Sequence, residues 1–148
     1  MTITKELITA EEQIKTILED RISAIYMKDV SGVLNKYAPD VVSFGIFSPL
    51  KNHGIEIIRS LLQSWFDTYK APIHQEMNSL VVNAGEDVAF SHCLTRTIGT
   101  STKGEEFDMW YRVTTGFHKS GNKWLITHEH LSEPIDTATG KGMFELKP

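Results

Sequence analysis

Apolar residues recur at helical spacing in the first half of the chain and alternate in the second. Ile14, Ile17, Leu18, Ile22 and Ile25 form one stripe of a first helix. Thr9, with Glu12 three residues on, predicts a capping box at its start, where each side chain bonds a free backbone amide. A short second helix is expected from about Val30 to Tyr37. It should end at the Ala38-Pro39 step, because proline disfavours helix in the residue before it. The β-branched and aromatic run "DVVSFGIF" (40–47) then predicts a strand. Pro49 to Gly54 reads as a loop, and Ile55, Ile58, Leu61, Leu62, Trp65 and Tyr69 as the apolar stripe of a third helix.

Beyond Pro72 the period falls to two. Four strands are expected: "HQEMNSLVVNA" (74–84), "VAFSHCLTRTIGT" (88–100), "EFDMWYRVTTGFHK" (106–119) and "KWLITHEHLS" (123–132). Turns at Gly85-Glu86-Asp87, Ser101–Gly104 and Ser120-Gly121-Asn122 join them as a meander. Three helices ahead of such a meander imply an α+β fold, with the helices packed on one face of a curved, mainly antiparallel sheet. Residues 1–148 read as one domain, with a core over about 8–134 and an extended tail over 135–148. Alternation on the third strand of the meander turns Phe107, Met109, Tyr111, Val113, Thr115 and Phe117 inward. It sends Asp108, Trp110, Arg112, Thr114 and His118 to the outer face.

Composition narrows the function classes. A net charge of −4 and a pI near 5.8 argue against nucleic acid or an anionic membrane as partner. Cys93 is the single cysteine, which excludes an internal disulfide and a thiolate zinc cluster. The start "MTITKELITAEEQ" is neither a signal peptide nor an apolar membrane span, so a cytoplasmic location is expected. Phosphate-loop and dinucleotide fingerprints are absent, and no cofactor is expected.

With this element order, "YAPDVVSFGIFSPL", "MWYRVT" and especially "GNKWLITHEHLSEPID" make the chain resemble the SnoaL-like and ketosteroid-isomerase-like branch of the nuclear-transport-factor-2-like superfamily. The resemblance spans about residues 8–146. It implies a cone-shaped fold in which helices and sheet enclose one pocket, usually in a homodimer. It implies no single chemistry, because members isomerise, cyclise, hydrate or only bind and oligomerise. The association domain of calcium/calmodulin-dependent kinases is similar in its closing strand. Aligning the last strand to the isomerases implies that Thr127, Glu129 and Leu131 point inward. Trp124, Ile126, His128 and His130 would then point outward.

The candidate residues follow from these faces. His128 and His130 share the outer face with Trp110 and Arg112, where a second copy of the chain is expected to dock. A His-x-His pair grips a metal only with further ligands from another element, and no metal is expected here. Arg21 sits in the middle of the first helix's apolar stripe, where an unpaired charge would be very costly. The resemblance places Arg21 where the isomerases carry an oxyanion-stabilising tyrosine. It places Gly45 at their aspartate base and Val113 at their second oxyanion donor. Steroid isomerisation by that template is therefore not expected.

Glu129, with Tyr111 and Arg21, is the candidate acid–base set, since an inward carboxylate can take and return a proton. Trp65, Met109, Val113, Thr127 and Leu131 are expected to line the pocket. Two functions stand side by side. One is acid–base chemistry on a small, oxygenated, largely apolar molecule, as an isomerase, cyclase or hydratase would perform. The other is a non-catalytic ligand-binding or oligomerisation module.

Overall fold

Helix α1 (Ala10–Tyr26) opens on the capping box at Thr9 in the computed structural model, which describes residues 7–148. The Thr9 hydroxyl accepts from the Glu12 amide at 3.2 Å, and the Glu12 carboxylate accepts from the Thr9 amide at 3.1 Å. Helix α2 spans Val30–Leu34 and α3 spans Ile55–Asp67. The strands are β1 (Tyr37–Phe44), β2 (Asn52–His53), β3 (Tyr69–Ala84), β4 (Val88–Ser101), β5 (Glu106–Ser120) and β6 (Lys123–Ser132). They form one α+β sheet in the order β2-β1-β6-β5-β4-β3, antiparallel except where β1 runs parallel to β6.

The first strand ends at Phe44 rather than Phe47, and the expected loop at Pro49–Gly54 holds the short β2; two further boundaries bear on the site. Tyr37 belongs to a strand rather than the second helix. The extended preference before Pro39 reaches back to Tyr37, which pairs with Ile126 while the Ile126 amide donates to the Lys36 carbonyl at 2.7 Å. Tyr69 likewise opens β3 instead of closing α3, and Pro72 is accommodated because β3 lies at the sheet edge. The segment after Pro134 is not an extended tail. Ile135 and Gly142 form a β-bridge, and the Gly140 amide donates to the Asp136 carbonyl at 2.7 Å, closing a loop.

The core lies between the helices and one face of the sheet. Ile14, Leu18 and Ile25 of α1 and Phe66 of α3 meet Val41, Ile73, Phe117, Trp124 and Ile126. Trp124 and Ile126 therefore point inward, against the expected outer face. The reason is a β-bulge. Phe117 pairs with Ile126 and Gly116 with His128, which leaves Thr127 as an extra residue. The Thr127 hydroxyl turns to the Gly116 carbonyl at 3.4 Å instead of facing inward. Gly116 permits the close approach, since a Cβ there would stand 3.4 Å from that of His128. Beyond the bulge Glu129 pairs with Thr115 and Leu131 with Val113 on the inner face, and His130 pairs with Thr114 on the outer. One strand thus gives two apolar residues to the core and a carboxylate to the same side.

The bulge makes a stability difference that can be measured. Trp124→Ala should cost about 3–5 kcal/mol in urea denaturation, the range for a large aromatic removed from a core. A loss below about 1 kcal/mol would return Trp124 to the outer face.

Candidate functional site

A pocket of about 340 Å³ opens between the helices and the inner face of the sheet. Its wall is largely apolar: Ile22 and Ile25 from α1, Leu61, Leu62 and Trp65 from α3, and Met109, Val113 and Leu131 from the sheet. Gly45, Ile46, Phe47 and Ser48 add a loop wall. Trp65, Met109, Val113 and Leu131 were all expected here; Thr127 is not among the lining residues, because the bulge takes it away.

Arg21 and Glu129 meet in this pocket. The Arg21 Nη1 donates to Glu129 Oε1 at 2.5 Å and to the Tyr37 hydroxyl at 3.2 Å. The Tyr37 hydroxyl donates to the same Oε1, so two donors from two elements converge on one oxygen. Glu129 is 8 % exposed and Tyr37 7 %. Burial opposes the Arg21 charge, but the Tyr37 and Glu129 oxygens more than offset it and hold the guanidinium firmly protonated. Burial, reinforced by the Glu129 charge, pushes the Tyr37 phenol well above its ordinary range, so it stays a neutral donor. Oε2 accepts no hydrogen bond among the described residues, and Glu129 lines the pocket.

Tyr111 lines the pocket on the inward face expected for it, but it makes no hydrogen bond to Glu129. Its hydroxyl shares a hydrogen bond with the Thr97 hydroxyl at 2.7 Å and accepts from Gln75 Nε2 at 3.0 Å. Gln75 Nε2 also donates to the Thr97 hydroxyl at 3.1 Å. Burial pushes the Tyr111 phenol up to about 12, against the lowering effect of its bond with Thr97. The pocket thus has two polar stations: Arg21–Tyr37–Glu129, and Gln75–Thr97–Tyr111. Tyr37 went unrecognised because it was assigned to a helix. Gln75 and Thr97 carry no charge and match no motif; their only signal was the inward parity they share with Tyr111.

His128 and His130 lie on the other side of the sheet. The His128 Nδ1 donates to the Val42 carbonyl at 2.8 Å, which fixes the tautomer, since a carbonyl can only accept. Phe44 packs edge-on to both rings, at 4.9 Å and 5.4 Å between centroids. Arg112 Nε donates to the Ser132 hydroxyl at 3.0 Å. Arg96 takes Asp108 in a two-pronged bond at 2.9 Å and 2.8 Å, and lies 5.9 Å over the Trp110 ring. The Arg96 bond also holds the exposed Asp108 carboxyl below its ordinary value. Among the described residues no three His, Cys, Asp or Glu side chains gather with metal-binding geometry. No helix among them is long and apolar enough to cross a membrane.

Comparison with known proteins agrees with this architecture. The sequence profile of the SnoaL-like domain matches residues 14–136. An NTF2-like protein of unknown function from Pseudomonas putida KT2440 is 30% identical, with a TM-score of 0.85 over 94% of this chain and 96% of that one. A candidate calcium/calmodulin-dependent protein kinase II association domain from Xanthomonas campestris is 20% identical, with a TM-score of 0.73 over 99% of both chains. A ketosteroid isomerase-like protein from Erwinia carotovora atroseptica SCRI1043 is 21% identical, with a TM-score of 0.70 over 82% of this chain and 94% of that one. Among curated proteins none matches this sequence. The last two likenesses establish the fold alone.

The ion pair can be weighed by mutation. Arg21→Ala leaves a buried carboxylate without its counter-charge and should cost about 3–5 kcal/mol. Arg21→Met combined with Glu129→Leu should cost about 1–3 kcal/mol less than the two single changes added together, read from urea melts. Additive losses would mean that the two side chains do not act as a pair.

Proposed function

We propose that this chain, which belongs to the SnoaL-like domain family of NTF2-like proteins, binds one small, largely apolar, oxygen-bearing molecule and moves a proton on it through Glu129. On this reading helices and curved sheet act as a cone around the ligand. The observation that carries it is the convergence of Arg21 and Tyr37 on Glu129 Oε1, which leaves Oε2 without a hydrogen-bond partner among the described residues, on a side chain that lines the apolar pocket. A carboxylate so held is fixed in direction before a ligand arrives, which is what efficient proton transfer needs. Oε2 would take a proton from a carbon beside a carbonyl and return it to the same or a neighbouring carbon. Arg21 supplies the positive charge that balances the carboxylate, and Tyr37 holds its orientation. The likeness to the Erwinia isomerase-like protein is compatible with this chemistry, although the carboxylate here comes from the last strand.

A direct test needs no knowledge of the natural substrate. Cyclic ketones incubated with the protein in heavy water should exchange the hydrogens beside the carbonyl, followed by NMR. Glu129→Gln should slow that exchange by about 10²- to 10⁴-fold while the ketone still binds. Ligands that bind with no exchange would favour the second reading, a non-catalytic binding or assembly module. The Xanthomonas association-domain likeness, which covers 99% of both chains, supports that alternative.

Assembly belongs to the same proposal. The outer sheet face presents Trp110, Arg112, His128 and His130 beside Phe44. We read it as the face on which a second copy docks, because it sets aromatic and charged groups side by side. Light scattering at micromolar concentration should give a dimer, and Arg112→Glu should shift it towards monomer. A wild-type monomer would sink the idea.

A further inference from the structure

The second polar station has a hydrogen-bond count that specifies what it can recognise. Gln75, Thr97 and Tyr111 make three contacts around a triangle, at 3.1, 3.0 and 2.7 Å. With Nε2 facing the hydroxyls, Gln75 spends one hydrogen on each, and a single hydroxyl hydrogen closes the 2.7 Å side. All three contacts are then satisfied. With the amide reversed, two hydroxyl hydrogens would have to serve three contacts, and one side of the triangle would be repulsive. The first orientation is therefore the stable one.

That orientation leaves a remainder. Two hydroxyls bring two hydrogens, the triangle consumes one, and one is uncommitted. Thr97 is 1 % exposed and Tyr111 7 %, and both line the pocket, so the spare hydrogen has the cavity as its open direction. Tyr111, with its phenol pushed up by burial, does not lose this hydrogen at neutral pH. The opposite station is complementary, because Glu129 Oε2 there is an acceptor. Tyr111 stands four residues along β5 from Thr115, the register partner of Glu129. Both stations line one cavity, and the Arg21 and Glu129 charges are felt at Tyr111, so one small ligand can meet both.

We infer that the Gln75–Thr97–Tyr111 triangle is a donor site for an uncharged acceptor oxygen, and that the pocket selects molecules that place a carbonyl there with the rest of the molecule reaching towards Glu129. The inference rests on the pocket being a ligand site, as proposed above, and names the class of ligand. The triangle has no positive charge of its own, and the Arg21 charge is matched by Glu129. A carboxylate would thus find a donor there without a counter-charge, whereas a neutral ketone gives up far less solvation than an ion on leaving water.

The test uses a matched pair of probes, 4-(4-hydroxyphenyl)cyclohexanone and 4-cyclohexylphenol, which differ only in the carbonyl oxygen. Calorimetry should show the wild-type protein binding the ketone roughly fivefold more tightly, the value of one net hydrogen bond. Gln75→Glu is the decisive variant, because a carboxylate accepts from both hydroxyls and uses up the spare hydrogen. It should reduce the ratio to about one. Thr97→Val combined with Tyr111→Phe should do the same by removing both hydroxyls, and the affinity for 4-cyclohexylphenol reports whether each variant still forms the pocket. Glu129→Gln should weaken both probes by the same factor and leave the ratio intact. If it weakens neither while the ratio stands, the reading of Glu129 falls and the triangle survives. Equal wild-type affinities for the two probes, or a preference that persists in Gln75→Glu, would overturn the inference. If neither probe binds, the pocket reading falls and the inference with it.

Discussion

A carboxylate in an apolar cavity must be met by positive charge and by donors, and this requirement ties the molecule together around Glu129. Arg21 reaches it from α1, Tyr37 from the start of β1, and Glu129 itself stands on β6. Removing either charge leaves the other stranded in low dielectric, so each element holds the others in register through one oxygen atom. A buried pair of this kind need not add net stability over a well-packed apolar pair. What it does add is direction: the side chains have one arrangement that satisfies their donors, and the pocket takes its shape from that arrangement.

The bulge at Thr127 decides which groups reach the pocket. Side chains alternate along a strand, so inward Trp124 and Ile126 on an unbroken β6 would have brought His128 and His130 inward too. One extra residue reverses the phase between Ile126 and Glu129. The core keeps its aromatic and β-branched residues, the cavity receives a carboxylate, and the imidazoles go to the far side beside Phe44. A pocket carboxylate and a pocket pair of histidines thus differ by a single backbone insertion.

Much of this was legible in the sequence, and the reasons it was not all legible are specific. Helical spacing located α1 with its cap, and alternation located four strands, because both signals come from burial repeated over many residues. The position of Arg21 within an apolar stripe already demanded a partner. Tyr37 was missed because a propensity boundary near Pro39 was set by the proline alone, whereas the parallel pairing with β6 extends the strand further back. The bulge left a trace, since apolar residues fall at 124 and 126 and the next inward pair at 129 and 131, an odd step between two even ones. Strict alternation traced backward from Glu129 overrode that trace and misplaced Thr127, Trp124 and Ile126. Gln75 and Thr97 had no chemical signature at all, because neutral hydrogen-bonding groups acquire meaning only from what they touch.

The two polar stations also explain why the pocket can be both charged and selective for neutral molecules. Arg21 and Glu129 cancel within one contact, so the cavity presents little net field beyond their immediate neighbourhood. Tyr37 and Tyr111 remain neutral donors because burial raises the cost of a phenolate. What a ligand meets is a set of directed hydrogen-bonding atoms set in a largely apolar wall, with an acceptor at one station and a donor at the other. Such a surface discriminates by the position of oxygen atoms more than by charge or bulk, because an oxygen out of place leaves a buried partner unpaired. The same residues that stabilise the folded chain around Glu129 therefore set the polarity pattern that a ligand must match.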